Sequence, residues 1–196
     1  MSDNAVTIRR CPTHTLTGVR VTGTGSFLPD VVVTNDDLAR LGCDAEWIVQ
    51  RTGIHERRHA PPEMGTSDMA AAAAERAIEA AGIDRSEIDL LVLGTFTPDY
   101  LLPQSASLVQ DKLGLNCPAM DVVTACAGFM YALVTASQFV ASGCARNALA
   151  IGADLNTRTL DPNDKQTYPL FGDGAGAVVV SPGEPTTAPA PSPKSG

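Results

Sequence analysis

Two periods of hydrophobicity alternate along the chain. Short apolar runs suit strands at residues 19–25, 88–95, 120–123, 148–154 and 178–180. Leu90, Leu91, Val92 and Leu93 are consecutive, as in a strand covered on both faces. Between the runs lie stretches with helix start and stop signals. Thr34 caps a short helix over 35–41 that Gly42 closes, and Asp44 caps one over 45–52 that Gly53 closes. Thr66 or Ser67 caps an alanine-rich helix over 68–81, ended by Gly82. Pro103 opens another that stops at Gly114. Residues 54–62, with His55, Arg57, Arg58, His59 and Pro61-Pro62, read as a solvated loop; residues 155–169 read as a polar one. Gly23-Thr24-Gly25-Ser26 lacks the helix of a dinucleotide fingerprint and reads as a tight turn. The glycines of 172–176 lead into a strand, where they would let backbone approach closely at a turn. Strands alternating with helices predict an α/β fold with a mainly parallel sheet.

The stretch from Asp121 to Arg146 stands out because no charged residue lies between them. From about Ala127 its pattern is helical, with small residues on every side, which predicts a helix buried all round. Cys126 falls where strand gives way to helix. Free N–H groups and the positive end of the helix dipole favour an anion there, so a cysteine at that place has a lowered pKa and more nucleophilic thiolate. Taken alone, a free cysteine is more often simply part of the core. The uncharged run is also long enough to raise the question of a membrane span. Gly128, Thr135, Ser137, Gln138, Ser142 and Gly143 within it, and its strand-like first third, argue against one.

Composition narrows the classes. A length of 196 residues can bury a sizeable core, and 44% hydrophobic residues with a mean hydropathy near zero fit a soluble globular protein. The net charge of -8 argues against nucleic-acid or anionic-membrane surfaces, which need a positive field. The first fifteen residues carry Arg9, Arg10 and His14 and lack the apolar core of a secretory signal. Five cysteines (Cys11, Cys43, Cys117, Cys126, Cys144) with no Cys-x-x-Cys pair argue against a disulfide framework or a zinc site and point to a reducing cytoplasm. Pro61 and Pro62 weaken a helical metal pair of His55 and His59. Trp47 and Arg51 are four apart and share a helix face. They are either an aromatic anchor covered by arginine, or a stacking and cationic platform for a nucleotide. The expected organisation is a flexible extension at 1–17, one folded unit at 18–183 and a Pro-rich disordered tail at 184–196.

Five motifs occur in order. They are Gly23-Thr-Gly-Ser-Phe-Leu-Pro29, Glu46-Trp-Ile-Val-Gln-Arg-Thr-Gly-Ile54, Asp121-Val-Val-Thr-Ala-Cys-Ala-Gly-Phe129, Asp161-Pro-Asn-Asp164 and Phe171-Gly-Asp-Gly-Ala-Gly-Ala177. Together they resemble β-ketoacyl-acyl-carrier-protein synthase III, the condensing enzymes that initiate fatty-acid synthesis, within the thiolase-fold family. The resemblance implies the N-terminal half of a thiolase-like αβαβα fold, with a mainly parallel five-stranded sheet. It implies that Cys126 is the acyl-accepting nucleophile and that Trp47 and Arg51 hold the adenine end of coenzyme A. Lys165 stands where the family often has arginine, keeping the charge and losing the planar fork. Leu102 falls where such enzymes send a side chain into the partner subunit's acyl pocket, which implies a homodimer. Acyl-coenzyme A is then a substrate and not a cofactor, and malonyl-acyl-carrier protein is the second substrate. The family takes a catalytic histidine and asparagine from a second, similar half. His14, His55 and His59 all precede Cys126 and lie in other motifs. The resemblance therefore also fits a truncation, a half completed by a second chain, a non-catalytic half-domain, or a related condensing enzyme with other acyl substrates.

Overall fold

The computed structural model describes residues 16–184. Most of the expected N-terminal extension, and all of the expected tail except Glu184, lie outside the described residues. Five strands, β1 (Val19–Phe27), β4 (Leu90–Gly94), β5 (Ala119–Val122), β6 (Ala148–Leu155) and β7 (Asp173–Pro182), form one sheet in the order β1-β7-β6-β4-β5. β4 pairs parallel with β5 and β6, while β7 pairs antiparallel with both β6 and β1. Four strands thus run one way and β7 alone runs back, which is the mainly parallel five-stranded sheet expected.

The consecutive apolar residues of β4 divide by parity. Leu91 and Leu93 enter a core with Met69, Ala73, Ala77, Val109 and Leu149. That core lies under α2 (Thr66–Ala81) and α3 (Ser105–Leu113). Leu90 and Val92 face the other way, against Ala132, Ala136 and Val140 of α4 (Gly128–Ala141). α4 is not buried all round as its composition predicted. The sheet covers one side of it only, so Met130, Tyr131 and Val134 are each more than half exposed.

Local chemistry fixes the helix ends. The Asp44 side chain accepts from the Glu46 N–H at 3.1 Å and starts α1 (Ala45–Thr52), and Gly53 in the left-handed region ends it. α2 begins at Thr66, with Gly65 at its cap and Asp68 accepting from the Gly65 N–H at 2.7 Å. Thr66 and Ser67 are therefore buried in the first turn and not at the cap. α3 begins at Ser105, two residues after the Pro103 that was expected to open it. Its first N–H groups, from Ser105 and Ala106, donate to Asp121 of β5 at 3.0 and 2.7 Å. Burial pushes the Asp121 carboxyl up despite those two bonds.

Three segments differ from expectation. Residues 54–62 are not a solvated loop: β3 (Glu56–His59) pairs antiparallel with β2 (Val31–Thr34), and Arg57 is buried. Residues 35–41 form a 3-10 turn (Asp36–Leu41), where Thr34 and Asp37 exchange hydrogen bonds. Neither glycine cluster is a turn; Gly23 and Gly25 lie within β1, and Gly174 and Gly176 within β7. A Cβ on Gly23 would overlap the Ala77 carbonyl oxygen, and one on Gly25 the Ala73 carbonyl oxygen, both on α2. The missing side chains let helix backbone lie directly on strand backbone. Among the described residues no helix is long and apolar enough to cross a membrane.

Gly25→Ala is expected to destabilise the fold by about 1–3 kcal/mol or more through overpacking against α2. Gly176→Ala is the control, since its added methyl meets nothing within 4 Å. Urea denaturation of both variants separates steric overlap from any general cost of replacing strand glycine.

Candidate active site

Cys126 is placed by the way β5 hands over to α4. β4, β5 and β6 run parallel, and the polypeptide leaves β5 at their carboxyl ends, where open α/β sheets form ligand sites. A single 3-10 turn (Ala125–Ala127) follows, closed by the Ala127 N–H donating to the Thr124 carbonyl at 3.0 Å. Ala125 has φ 46°, in the left-handed region that costs a non-glycine residue about 1–3 kcal/mol. The turn leaves Cys126 exposed. The Thr124 hydroxyl beside it is buried without a hydrogen-bond partner among the described residues.

Two glycines seat this turn. Gly94 and Gly152 are register partners on β4 and β6. A Cβ on Gly94 would overlap the backbone of Gly128, the first residue of α4. A Cβ on Gly152 would stand 2.8 Å from that of Phe129. Glycine at both places lets the start of α4 rest on the sheet, with Cys126 just ahead of it. Beyond Phe129 an apolar groove of about 580 Å³ continues over Gly152, Gly174 and Gly176 to Asp154. Asp154 accepts from the Phe96 N–H at 3.0 Å and from the hydroxyls of Thr95 and Thr97. Burial pushes its carboxyl up. Only its position as the sole charge ending an apolar run marks it in the sequence.

A second cleft, of about 530 Å³, is lined by Gly42, Cys43, Asp44, Trp47, Lys165 and Gln166. The Arg51 guanidinium lies 5.6 Å from the Trp47 ring centroid, as their spacing on α1 predicts. On the facing wall Asp164 organises the turn that carries Lys165, accepting from the Gln166 N–H at 2.9 Å and from the Thr167 hydroxyl. The Thr167 bond, chiefly, holds the Asp164 carboxyl below its usual range. Cys43 Sγ donates across to the Lys165 carbonyl at 3.9 Å. The structure thus places Trp47 and Lys165 in one cleft, with Arg51 against the Trp47 ring but, like Cys126, outside the residues that line the cleft. Leu102 lines neither the groove nor the cleft and lies in an exposed apolar segment with Tyr100 and Leu101. Among the described residues no group of three histidine, cysteine or acidic side chains could hold a metal ion.

The profile of the 3-oxoacyl-[acyl-carrier-protein (ACP)] synthase III family matches residues 120–190. The β-ketoacyl-[acyl-carrier-protein] synthase III of Rhodopirellula baltica is 58% identical over 167 residues, covering 85% of this chain and 48% of its own length. The crystal structure of 3-oxoacyl-[acyl-carrier-protein] synthase III from Aquifex aeolicus superposes with a TM-score of 0.82 at 45% identity, covering 85% of this chain and 55% of that one. Over its matched length the chain is similar to the 3-oxoacyl-acyl-carrier-protein synthase III family. It spans about half the length of the curated relatives it matches. The priming β-ketosynthase of the R1128 polyketide pathway is also similar, with a TM-score of 0.81 at 38% identity over 90% of this chain and 53% of that one. The thiolase-like fold expected of this synthase family is therefore present.

Iodoacetamide is expected to label Cys126 ahead of Cys11, Cys43, Cys117 and Cys144 in the folded protein. Cys117 should react only on unfolding, because it is buried and burial pushes its thiol up. Peptide mass analysis after limited labelling ranks the thiols. Early labelling elsewhere with Cys126 untouched would remove it from the role of nucleophile.

Proposed function

We propose that this chain supplies the acyl-accepting half of a 3-oxoacyl-acyl-carrier-protein synthase III. The observation that carries the reading is Cys126, exposed on a strained turn at the start of a glycine-seated helix. In this reading its thiolate attacks the thioester carbonyl of acyl-coenzyme A. The tetrahedral intermediate collapses, coenzyme A leaves as its thiolate, and the acyl group stays on Cys126. Malonyl-acyl-carrier protein then loses carbon dioxide, and the carbanion formed attacks the acyl carbonyl. The bond to Cys126 breaks and its thiolate is regenerated.

The cleft of Trp47 and Lys165 is the proposed site for the nucleotide end of coenzyme A, which is substrate here and not cofactor. The Trp47 face stacks on adenine, while Arg51 beside it and Lys165 across the cleft supply charge for phosphate. Leu102 is proposed to reach a partner subunit in a homodimer, consistent with its 83% exposure. Trp47→Ala and Arg51→Ala should each weaken coenzyme A binding with the fold intact, the arginine contact contributing on the order of 1.5–3 kcal/mol. Calorimetric titration showing unchanged affinity in both would remove the cleft from the site.

Condensation needs more than Cys126. Decarboxylation builds negative charge on the malonyl thioester oxygen, and its rate depends on preorganised donors aimed there. His55 precedes β3 and His59 ends it, both outside the motif that carries Cys126, and His14 lies outside the described residues. The purified 196-residue protein is therefore expected to acylate Cys126 slowly and not to release carbon dioxide from malonyl-acyl-carrier protein. Each absent donor typically costs about 10²–10³ in rate. Turnover that Cys126→Ala abolishes would show that the missing groups come from within the chain. The exposed face of α4 favours a second reading, in which this chain acts as one half completed by another polypeptide. Restoration of carbon dioxide release by an added second half would distinguish that case from a non-catalytic half-domain.

A further inference from the structure

Arg57 is 6% exposed, and among the described residues no carboxylate hydrogen-bonds it. Its fork reaches two segments far apart in sequence instead, 33–35 and Pro169. Nη1 donates to the Val33 carbonyl on β2 at 3.1 Å. Nη2 donates to the Asn35 Oδ1 at 2.6 Å and to the Pro169 carbonyl at 3.2 Å. Nε is buried and has no partner among the described residues. A buried cation held by neutral acceptors adds little net stability, and burial pushes this guanidinium below its ordinary pKa. Geometry is what the arrangement supplies.

The acceptors lead to both walls of the Trp47–Lys165 cleft. Asn35 passes the connection on, its Nδ2 donating to the Ile54 carbonyl at 2.8 Å, directly after the glycine that ends α1. α1 carries Trp47 and Arg51. Pro169 lies in the short turn (Tyr168–Leu170) that follows Lys165, and the Tyr168 N–H donates to the Asp164 carbonyl at 3.0 Å. The Tyr168 ring also lies 5.7 Å from the His59 ring in a T-shaped pair and 5.7 Å from the Arg40 guanidinium.

We infer that Arg57 is the positioning residue of the cleft, a buried fork that sets the separation of the α1 wall from the Lys165 wall. The role in coenzyme A binding rests on the function proposed above; the setting of the cleft does not. Lysine at this place would keep the charge, but one ammonium cannot reproduce a planar fork that spans Val33, Asn35 and Pro169.

Arg57→Lys and Arg57→Met are compared with the unaltered protein, with far-ultraviolet dichroism checking the fold. The cleft is read without any ligand through Cys43, whose Sγ touches the Lys165 wall. Its alkylation rate is expected to rise about fivefold or more in both variants, while Cys126 labels at the unaltered rate, since loss of sub-ångström positioning acts locally. Coenzyme A affinity is expected to fall roughly tenfold or more in Arg57→Lys. An unchanged Cys43 rate in folded Arg57→Lys would overturn the inference. If Arg57→Met does not fold, Arg57→Lys decides alone; if neither folds, Asn35→Ala, which cuts the link to α1, must raise the Cys43 rate or the inference fails. Absence of coenzyme A binding by the unaltered protein would count against the proposed function alone, with the Cys43 comparison still deciding the role of Arg57.

Discussion

Backbone resting on backbone is the constraint that the rest of this structure accommodates. On one face of the sheet, α2 lies against Gly23 and Gly25 of β1. On the other, the start of α4 lies against Gly94 and Gly152. Any side chain at these places would hold the helices off by most of a side-chain layer. The alanine-rich character of α2 follows from the same demand, because a helix this close has room for little beyond methyl groups. The turn before α4 inherits its position from that contact. Ala125 adopts a left-handed backbone there because the strand behind it and the helix ahead are both fixed.

Polar groups at the carboxyl ends of the strands are satisfied by a few carboxylates, of which Asp173 is buried and the others half-buried. Asp121 caps α3, and Asp154 gathers Thr95, Phe96 and Thr97. Asp99 accepts from Ser67 and Ser105, and so joins the starts of α2 and α3. Asp173 accepts from Ala60 and from Thr157. Asp121, Asp154 and Asp173 stand on strands and tie segments distant in sequence to the sheet, while Asp99 ties two helix starts to one another. Such bonds are worth more than neutral ones because the acceptor is charged.

How far the sequence could be read depended on the range of the interaction. α1 was legible from end to end, since Asp44 and Gly53 act on their own neighbours. The junction at Cys126 was legible because strand and helix periods differ. The Trp47–Arg51 contact followed from helical spacing, but nothing local places Lys165 on the opposite wall. β3 was missed because Glu56, Arg57, Arg58 and His59 signal solvent, and burial of Arg57 depends on carbonyls far along the chain. The glycines of β1 and β7 were read as turns because glycine serves turns and close packing alike. The exposed side of α4 was misread for a related reason: hydrophobicity says that a surface prefers cover, not whether this chain provides it.

Trp47 is the single tryptophan of the chain, and it stands half-exposed on α1, away from the sheet and both of its cores. Tryptophan emission from this protein therefore reports one wall of a surface cleft, not the packing of the interior. Far-ultraviolet dichroism, by contrast, is dominated by the longer helices and the sheet. Coincidence of the two signals during denaturation tests cooperativity between a peripheral module and the central sheet. Where they part, the free energy between them is the local cost of opening that module.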